Sequence, residues 1–304
     1  MIFECKQCGS PFQTERSLHA HIKTHGLYLP DYYCKFYPRK CLYSGQPLQF
    51  KDKESYFHSE FANRENMFRW LKRANLEDKQ RVILSILKSR IERKKYSLAP
   101  PQVELLACDL PPVQEYKSAF GSYGLAAKQC GVKPMFSSLP PKDWKTLDFS
   151  AKKILIDSRE QLPLSFPKSE KLKLDIGDYG VTGESFDYTF VDRKSFQDLC
   201  GTLTNDNYER FRREIIRCKE QNCFLWVVVD ANIRDAEKIN SSSAHKANLK
   251  FVFHQMNTLQ HEFCENLQFV WSGGREQSQD LIPRLLCLGK KLWNVDIQYF
   301  WEEK

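Results

Sequence analysis

Residues 177–198 read GDYGVTGESFDYTFVDRKSFQD, and this stretch contains Asp178, Asp192 and Lys194. Asp178 falls in a glycine-rich bend, and Asp192 falls near the end of the β-prone segment that follows the bend. Lys194 is two residues beyond Asp192, so both side chains point to the same face if this segment is a strand. The pattern predicts a single site that gathers two carboxylates and a lysine.

The segment after residue 150 alternates β-prone and helical patterns. We expect strands at 153–156, 172–176, 186–191, 223–229 and 267–271, helices at 195–203, 208–219, 244–264 and 277–293, a bend at 177–183, and an edge strand at 295–301. The run at 223–229 is apolar throughout, which is typical of a strand buried on both faces. The sequence therefore predicts an α/β domain with a mixed sheet flanked by helices.

A further charged group follows the first predicted strand and consists of Asp157, Arg159 and Glu160. Acidic groups from separate elements can hold a divalent cation, and a nearby lysine can stabilise charge that develops on phosphate or hydroxide. These residue types predict a metal-dependent phosphodiesterase site. Arg159 and Arg193 either bind phosphate there or pair with the carboxylates.

The order of Asp178, Asp192 and Lys194 resembles the pattern of the restriction-endonuclease-like superfamily. Other positions make the resemblance more specific, and it is closest to the XPF-type structure-specific nuclease domain. The matching groups are Asp157-x-Arg159-Glu160, Gly177-Asp178-Tyr179, Arg193-Lys194-x3-Asp198 and Arg210-Phe211. The element order agrees from 152 to 294. Asp192 stands where the family usually has Glu, so a degenerate, inactive homologue is the alternative.

This resemblance implies a restriction-endonuclease-like fold and an endonuclease that depends on Mg²⁺ or Mn²⁺. It assigns the metal to Asp178, Asp192 and either Asp157 or Glu160. The metal would polarise the scissile phosphate and lower the pKa of a bound water, while Lys194 would orient or stabilise the nucleophile. Asp198 would support the site from the following helix. Domains of this family commonly dimerise, so a homodimer is also expected.

Residues 1–27 carry the spacing of a Cys2His2 zinc finger. The expected zinc ligands are Cys5, Cys8, His21 and His25. Phe12 and Leu18 supply the small apolar core that a finger needs. The usual base-reading positions fall on Thr14, Ser17 and Ala20, none of which makes a bidentate base contact. A finger that anchors phosphate or contacts protein is therefore as consistent with the sequence as a base reader.

Residues 28–96 are expected to form a helical module with aromatic and basic faces. Its cysteines, Cys34 and Cys41, are interpreted as core residues. The alternative is a second zinc site that Cys34 and Cys41 would share with His58.

Residues 97–135 predict short helices that begin at prolines and are separated by tight turns. This segment resembles the helix-turn-helix-like repeats found beside the catalytic domains of homing endonucleases, and a three-helix spacer is the alternative. Residues 136–150 are rich in proline and serine and are predicted to link this module to the nuclease domain at 151–304.

Basic side chains outside the acidic cluster are candidates for contacts with the DNA backbone. They are Arg16, Lys117, Lys128, Arg210, Arg213, Arg217 and Arg275. Three of them recur on one helical face at 210, 213 and 217. An ordinary solvated helix surface explains the same pattern.

Composition agrees with a modular protein that binds a polyanion. The chain has 304 residues, a formal net charge of +8 and 41% hydrophobic residues. It has eleven cysteines, and the odd count together with the metal-like spacing of the first ones favours a reducing compartment over a disulfide scaffold. No run is apolar enough for a membrane span and no signal peptide is evident, so an intracellular location is expected.

The sequence thus predicts a DNA endonuclease of the mobile-element or phage homing type, with targeting modules in front of a nuclease domain. One alternative is a nuclease that acts on branched or flap DNA because of its structure. The other is a zinc-finger DNA-binding protein whose nuclease domain is degenerate.

Overall fold

The computed structural model describes residues 2–50, 60–183, 187–204 and 206–303. The chain divides into two compact units, Met1–Ser89 and Arg90–Lys304. The finer boundaries expected at 27, 96, 135 and 150 stay predictions. In the part of the chain that the structure describes, no helix has the length and apolarity that a membrane crossing requires.

The first unit begins with a ββα arrangement. Its elements are strands β1 (Phe3–Glu4) and β2 (Pro11–Phe12), helix α1 (Glu15–His21) and a 3-10 turn at Ile22–His25. Helices α2 (Leu29–Phe36) and α3 (Arg64–Leu71) follow, and α4 (Leu76–Lys94) runs across the division between the units. Tyr32 and Tyr33 of α2 share a core with Leu18 and Ile22, so α2 extends the small apolar centre of the ββα arrangement.

The second unit begins with short elements. They are β3 (Leu98–Ala99), α5 (Gln102–Ala107), α6 (Val113–Phe120), α7 (Tyr123–Gln129) and β4 (Lys133–Pro134), with β3 and β4 parallel. Pro101 precedes α5 and Pro112 precedes α6, because a proline at a helix start loses no hydrogen bond. Ser122 caps α7 by accepting from the amide of Leu125. The expectation of short helices begun by prolines is confirmed for α5 and α6.

The rest of this unit contains the large sheet and its helices. Its strands are β5 (Ile154–Asp157), β6 (Ser169–Leu172), β7 (Tyr179–Val181), β8 (Thr189–Lys194), β9 (Phe224–Val229) and β10 (Leu267–Trp271). Its helices are α8 (Phe196–Thr202), α9 (Asp206–Glu220), α10 (Ala236–Ser242), α11 (Leu249–Glu262), α12 (Arg275–Leu288) and α13 (Ile297–Glu302), with 3-10 turns at Ile233–Asp235 and Gly289–Lys291.

The sheet has the order β10-β9-β8-β7-β5-β6 and is mixed, as predicted. Strands β10, β9 and β8 are parallel to one another, β7 is antiparallel to β8 and β5, and β6 is parallel to β5. Strand β9 is buried at every residue. Leu225, Val227 and Val229 join the core on one face, whereas Phe224, Trp226 and Val228 join the core on the other. Burial on both faces explains why this strand lacks polar alternation.

Two strands lie elsewhere than predicted. The segment expected at 172–176 is a strand only at Ser169–Leu172, because the amide and carbonyl of Leu174 bond the side chains of Asp157 and Arg159. The bend expected at 177–183 contains β7, which pairs with β5 although Gly180 is its central residue. The strand expected at 186–191 is β8, shifted to 189–194, and Phe186 lies outside the described residues.

The edge strand expected at 295–301 is wrong, because Ile297–Glu302 is the helix α13. Asp296 caps this helix by accepting from Tyr299 N. The edge of β10 is instead satisfied by glutamine side chains: Gln260 accepts from Phe269 N at 2.9 Å and Gln298 accepts from Trp271 N at 2.7 Å. These contacts leave the outer strand no free amides at those positions for another strand to pair.

The segment predicted to be a linker, 136–150, contributes to the core of the second unit. Trp144 is 4% exposed and belongs to the core shared with α12. Its carbonyl accepts a hydrogen bond from the buried Arg284 at 3.0 Å. This part of the segment therefore packs in the core beside α12 and does not act as a free connection.

Candidate active site

Asp178 is positioned by a glycine that no other residue can replace without strain. Gly177 has φ of +64°, and a Cβ there would lie 2.7 Å from the carbonyl oxygen of Val191. This close approach lets Asp178 N donate to Val191 O at 2.7 Å, and Asp157 N donates to Asp178 O at 2.8 Å. The bend therefore locks Asp178 between the ends of β5 and β8.

Asp192 and Lys194 share one face of β8, as their spacing predicts. Lys194 Nζ lies 2.9 Å from Asp192 Oδ1 and 2.8 Å from Oδ2. Both side chains are largely buried, with 9% exposure for Asp192 and 14% for Lys194. The backbone amide of Arg193, between them, donates to Asp178 Oδ2 at 2.8 Å. The site thus brings together the two carboxylates and the lysine that the sequence singled out.

The two carboxylates repel each other. Burial, together with the charge of Asp192, raises the pKa of Asp178 to about 8. Burial by itself lowers the pKa of Lys194, but the adjacent Asp192 carboxylate outweighs burial and raises it above its ordinary value. Lys194 is therefore a fixed cation at neutral pH, and the site favours any further positive charge that could neutralise Asp178.

Glu214 is a site residue that the sequence reasoning missed. It lies on α9, and its Oε1 accepts from Gly177 N at 3.1 Å, next to Asp178. Burial and the charge of Asp192 raise the pKa of Glu214. The sequence did contain a signal for this residue, because Glu214 stands on the apolar face of α9, between the buried Phe211 and Cys218. Burying an acidic side chain on an apolar face costs free energy, so its presence there indicates a specific interaction.

Asp157 was expected as a possible metal ligand, but its carboxylate is bonded to neighbouring protein groups. Its Oδ1 accepts from Arg159 N at 2.7 Å and Nε at 2.8 Å, and its Oδ2 accepts from Arg159 Nη2 and Leu174 N, both at 2.8 Å. Hydrogen bonds from Arg159 hold the pKa of Asp157 at about 2. These four bonds occupy the acceptor positions of the carboxylate, so in this arrangement Asp157 shapes the turn after β5 and offers no lone pair to a metal.

Arg193 is held by protein groups, in the second of the two roles expected for it. It bonds Glu160 at 3.3 Å, Leu162 O at 2.7 Å and Asp230 at 2.5 Å. Asp230 was not predicted, and it also accepts from the hydroxyl of Ser278 on α12. Arg193 therefore ties β8 to β9, to the turn after β5 and, through Asp230, to α12.

Asp198 lies on α8 and forms a capping box with Ser195. Ser195 Oγ donates to Asp198 Oδ2 at 2.6 Å, and Asp198 N donates to Ser195 Oγ at 3.1 Å. Its side chain is exposed. Asp198 thereby fixes the start of the helix that follows Lys194.

The donor set fits a divalent cation. Asp178 and Glu214 are half-buried carboxylates whose pKa values are raised by burial and by Asp192, and carboxylate oxygen is the donor that Mg²⁺ and Mn²⁺ prefer. A cation beside Asp178 and Asp192 would relieve the repulsion between them. Glu160, by contrast, accepts from Leu162 N at 2.8 Å and from Arg193.

The four predicted zinc ligands come together in the first unit. One ligand atom from each of Cys5, Cys8, His21 and His25 lies within 4.8 Å of the others. Cys8 Sγ is 3.1 Å from His21 Nε2, and hydrogen bonds from Ser10 and His21 lower the pKa of the Cys8 thiol to about 5. A thiolate and neutral imidazoles are the donors that Zn²⁺ prefers. Zinc binding stays a prediction.

Replacing Cys8 by serine is expected to remove zinc from the protein and to melt the ββα arrangement, because a finger of this size depends on its metal for stability. Zinc content and thermal unfolding of the full chain measure both effects. Cys264→Ser is the control, since Cys264 is a free, half-buried thiol that belongs to neither expected zinc site. Full zinc content in Cys8→Ser would contradict the assignment.

Among the described residues, neither Cys34 nor Cys41 belongs to this cluster. Cys34 is exposed and Cys41 is buried, with its sulfur accepting from Asn66 Nδ2. His58, the third residue of the alternative zinc site, lies outside the described residues. Arg16 is exposed on α1. The second zinc site therefore stays untested.

The basic candidates of the second unit differ in availability. Arg210, Arg213 and Arg217 are exposed on α9, and Lys128 is exposed on α7. Lys117, in contrast, donates to the hydroxyl of Tyr299 at 3.1 Å and to Glu303 at 3.4 Å. Arg275 donates to the carbonyls of residues 162 and 163. The α9 arginines are thus the candidates best placed to meet a phosphate backbone.

Comparison with known proteins bears on the second unit. The ERCC4 domain family matches residues 156–285. The solved structures that resemble the chain include XPF from Aeropyrum pernix, with 16% identity and a TM-score of 0.34, and the same protein in complex with DNA, with 17% identity and a TM-score of 0.32. Each covers 45% of this chain, and the chain spans 66% and 63% of those two chains. A comparison with curated proteins gives no significant match.

The match identifies an ERCC4, or XPF-type nuclease, domain at residues 156–285. It confirms that part of the resemblance drawn from the charged groups between Asp157 and Lys194. The zinc finger and the homing-type repeat lie before the matched residues and stay predictions.

Proposed function

We propose that this protein is a divalent-metal-dependent DNA endonuclease whose active site is formed by Asp178, Asp192 and Lys194. The observation that carries the proposal is the meeting of the two carboxylates beside the buried lysine, at the ends of β7 and β8. The ERCC4 match over the same strands supports it. Asp in place of Glu at 192 keeps the acid next to Lys194, which favours an active enzyme over a degenerate one.

Asp178 and Asp192 would hold the metal, with Glu214 beside them. When bound by these carboxylates, a divalent metal would supply charge that polarises the scissile phosphate and makes a bound water more acidic. Lys194 holds Asp192 in place and presents a permanent cation to the reacting phosphate. Arg193 is bound to Glu160 and Asp230, so it stiffens the site.

For the substrate, we propose DNA with a branch or a flap. The resemblance of the site is to structure-specific nucleases. Of the two lysines expected to contact DNA in a homing-type repeat, Lys128 is exposed, but Lys117 is bonded to Tyr299 and Glu303. A homing-type enzyme would instead cut linear duplex at a defined site. Dimerisation through the nuclease domain remains a proposal.

Replacing Lys194 by alanine is expected to reduce cleavage about 10²- to 10³-fold, because the site loses a preorganised cation. The cleavage rate is measured on supercoiled plasmid and on labelled linear, flap and splayed-arm DNA of one sequence. Each substrate is tested with Mg²⁺ and with Mn²⁺. Lys238→Ala is the control, since Lys238 is an exposed lysine on α10. Cleavage by Lys194→Ala at the rate of the unsubstituted protein would overturn the site assignment.

The same assay separates the alternatives. Preference for flap or splayed-arm DNA supports the structure-specific enzyme, and cutting of linear duplex at one position supports the homing type. Binding without cleavage of any substrate would favour a DNA-binding protein with a degenerate nuclease domain.

A further inference from the structure

The segment from 39 to 48 repeats the hairpin that begins the ββα arrangement, and we call it the second hairpin. Both hairpins have the pattern Cys-x3-Gly-x-Pro, which falls on Cys5, Gly9 and Pro11 in the first and on Cys41, Gly45 and Pro47 in the second. The pairing is repeated as well, because Lys40 pairs with Pro47 in an antiparallel bridge just as Glu4 pairs with Pro11. The two hairpins therefore share one register.

The turns of the two hairpins also have the same backbone hydrogen bonds. Cys41 N donates to Gln46 O at 2.9 Å, and Gly45 N donates to Cys41 O at 2.8 Å. The equivalent bonds donated by Cys5 N and Gly9 N measure 2.9 and 2.6 Å. The glycine of each turn is left-handed, with φ of +68° at Gly45 and +76° at Gly9.

The helix after the second hairpin, α3, corresponds to α1. Asn63 caps α3 by accepting from the amide of the third helical residue, as Thr14 does for α1. The fourth and eighth positions, counted from the start of each helix, are buried in both cases. They are Leu18 and Ile22 in the first copy and Met67 and Leu71 in the second. The described residues 39–50 and 60–74 thus repeat the order of hairpin and helix.

The second copy has lost three of the four expected zinc ligands. The replacements are Ser44 for Cys8, Trp70 for His21 and Ala74 for His25. Cys41 is kept, and its sulfur accepts from Asn66 Nδ2 on α3 at 3.5 Å. The ring of Trp70 packs on that of Phe61, with 5.5 Å between their centres. Since a structural zinc site needs four ligands, contacts between side chains take the place of the metal in this copy.

Helix α3 carries an arginine at a position that reads bases in Cys2His2 fingers. In such fingers the residue before the helix and its third and sixth residues contact bases. In α3 the first two are Asn63 and Asn66, which make bonds within the protein. The sixth is Arg69, whose side chain is 54% exposed and is paired only at 3.3 Å with Glu65, a solvated residue of the same helix. Such an exposed pair is weak enough to be exchanged for another partner.

We propose that residues 39–50 and 60–74 belong to a metal-free copy of the ββα arrangement, and that Arg69 binds a guanine in the major groove of duplex DNA. Arginine can donate two hydrogen bonds to the O6 and N7 atoms of guanine. The equivalent residue of α1 is Ala20, so the second copy supplies a base contact that the first lacks. The exposed Lys72 and Arg73, just after α3, add positive charge for the phosphates. The proposal rests on the proposed function for its ligand, DNA, and adds a base preference in a duplex arm.

The test measures base preference by binding. Random duplexes are selected with the full chain carrying Lys194→Ala, without added Mg²⁺, and each selected guanine is then replaced by the other bases. One such replacement is expected to weaken binding about tenfold. Adding Arg69→Ala or Arg69→Lys should reduce this factor to less than about twofold, because lysine keeps the charge but not the planar pair of donors. Arg81→Ala, the matched control, should retain the preference, since Arg81 is 65% exposed and is paired with Asp78 of its own helix. Equal melting temperatures verify that these variants are folded.

Zinc content tests the metal-free copy separately. Cys41→Ser is expected to keep all the zinc of the unsubstituted protein, and a loss of zinc in Cys41→Ser would overturn the metal-free copy. A guanine preference that survives Arg69→Ala, or no base preference in the Lys194→Ala parent, would overturn the contact, and cleavage by the unsubstituted protein would then leave the nuclease proposal standing. A guanine preference without any cleavage would instead refute the nuclease proposal alone.

Discussion

Replacing Asp178 by asparagine is expected to abolish cleavage and, without a divalent metal, to stabilise the fold. Cleavage should fall about 10³-fold or more, because the site loses a charged metal ligand. Asparagine keeps an oxygen that can accept from Arg193 N, so the bend should survive. Removing the half-buried charge of Asp178, which repels that of the buried Asp192, should raise the free energy of unfolding by about 1 to 2 kcal/mol at pH 8.

The pKa of Asp178 predicts how the free energy of unfolding changes with pH. The pKa of Asp178 is about 8 in the folded protein, well above the roughly 3.9 of an unfolded chain. Its contribution to stability is therefore fully present below the unfolded value and is lost as the pH rises towards 8. Metal-free wild-type protein should lose stability between about pH 4 and 8, and Asp178→Asn should lose less.

Thermal or urea unfolding across this pH range, with EDTA or with Mg²⁺, measures the prediction. Mg²⁺ should restore stability to the wild type at pH 8 and should have little effect on Asp178→Asn. Asp175→Asn is the control, because Asp175 is exposed in the same turn. Full cleavage by Asp178→Asn, or a loss of stability equal to that of a core mutation, would contradict the arrangement described here.

Replacing Glu104 by alanine is expected to lower the free energy of unfolding by about 3 to 5 kcal/mol, which is typical when one partner of a buried ion pair is removed. The Glu104 side chain is 0% exposed. It accepts from Arg90 at 2.7 and 2.8 Å and lies 2.8 Å from His261 Nε2, and His261 stacks on Tyr96. Without Glu104, Arg90 is left buried without its anion, and α5 loses its polar tie to α11.

Lowering the pH should reduce the contribution of Glu104 to the free energy of unfolding. Burial alone would raise the pKa of Glu104, but His261 and Arg90 outweigh burial and lower it below the ordinary value. A depressed pKa gives stability that is present above the unfolded value and is lost as the pH falls. The difference in unfolding free energy between wild type and Glu104→Ala should therefore shrink below about pH 4.

Urea unfolding of the full chain at pH 7 and in acid measures this difference. Glu237→Ala, at an exposed glutamate of α10, should change stability by less than about 0.5 kcal/mol. A loss in Glu104→Ala that is no greater than in Glu237→Ala would show that the buried network adds nothing to the fold.

The candidate site was predictable where it depends on spacing along one strand. Asp192 and Lys194 face the same way because side chains alternate in a strand, and Asp178 was marked by the glycine before it. Glu214 and Asp230 were not predicted, because they come from α9 and from the end of β9 and reach the site only through packing. Asp157 was predicted as a possible ligand, yet the turn after β5 gives its oxygens to Arg159 and Leu174.

The sequence by itself determined the mixed α/β fold, the meeting of Asp178 and Asp192 with Lys194, and the ββα arrangement with its cluster of two cysteines and two histidines. These features follow from local periodicity and short spacings, which act through neighbouring residues. Only the tertiary structure decided that Ile297–Glu302 is a helix, that Arg193 and Arg275 bond the carbonyl of Leu162, and that Glu214 lies beside Asp178. Those outcomes depend on which distant groups satisfy buried donors and charges, and that choice is made when the elements pack together.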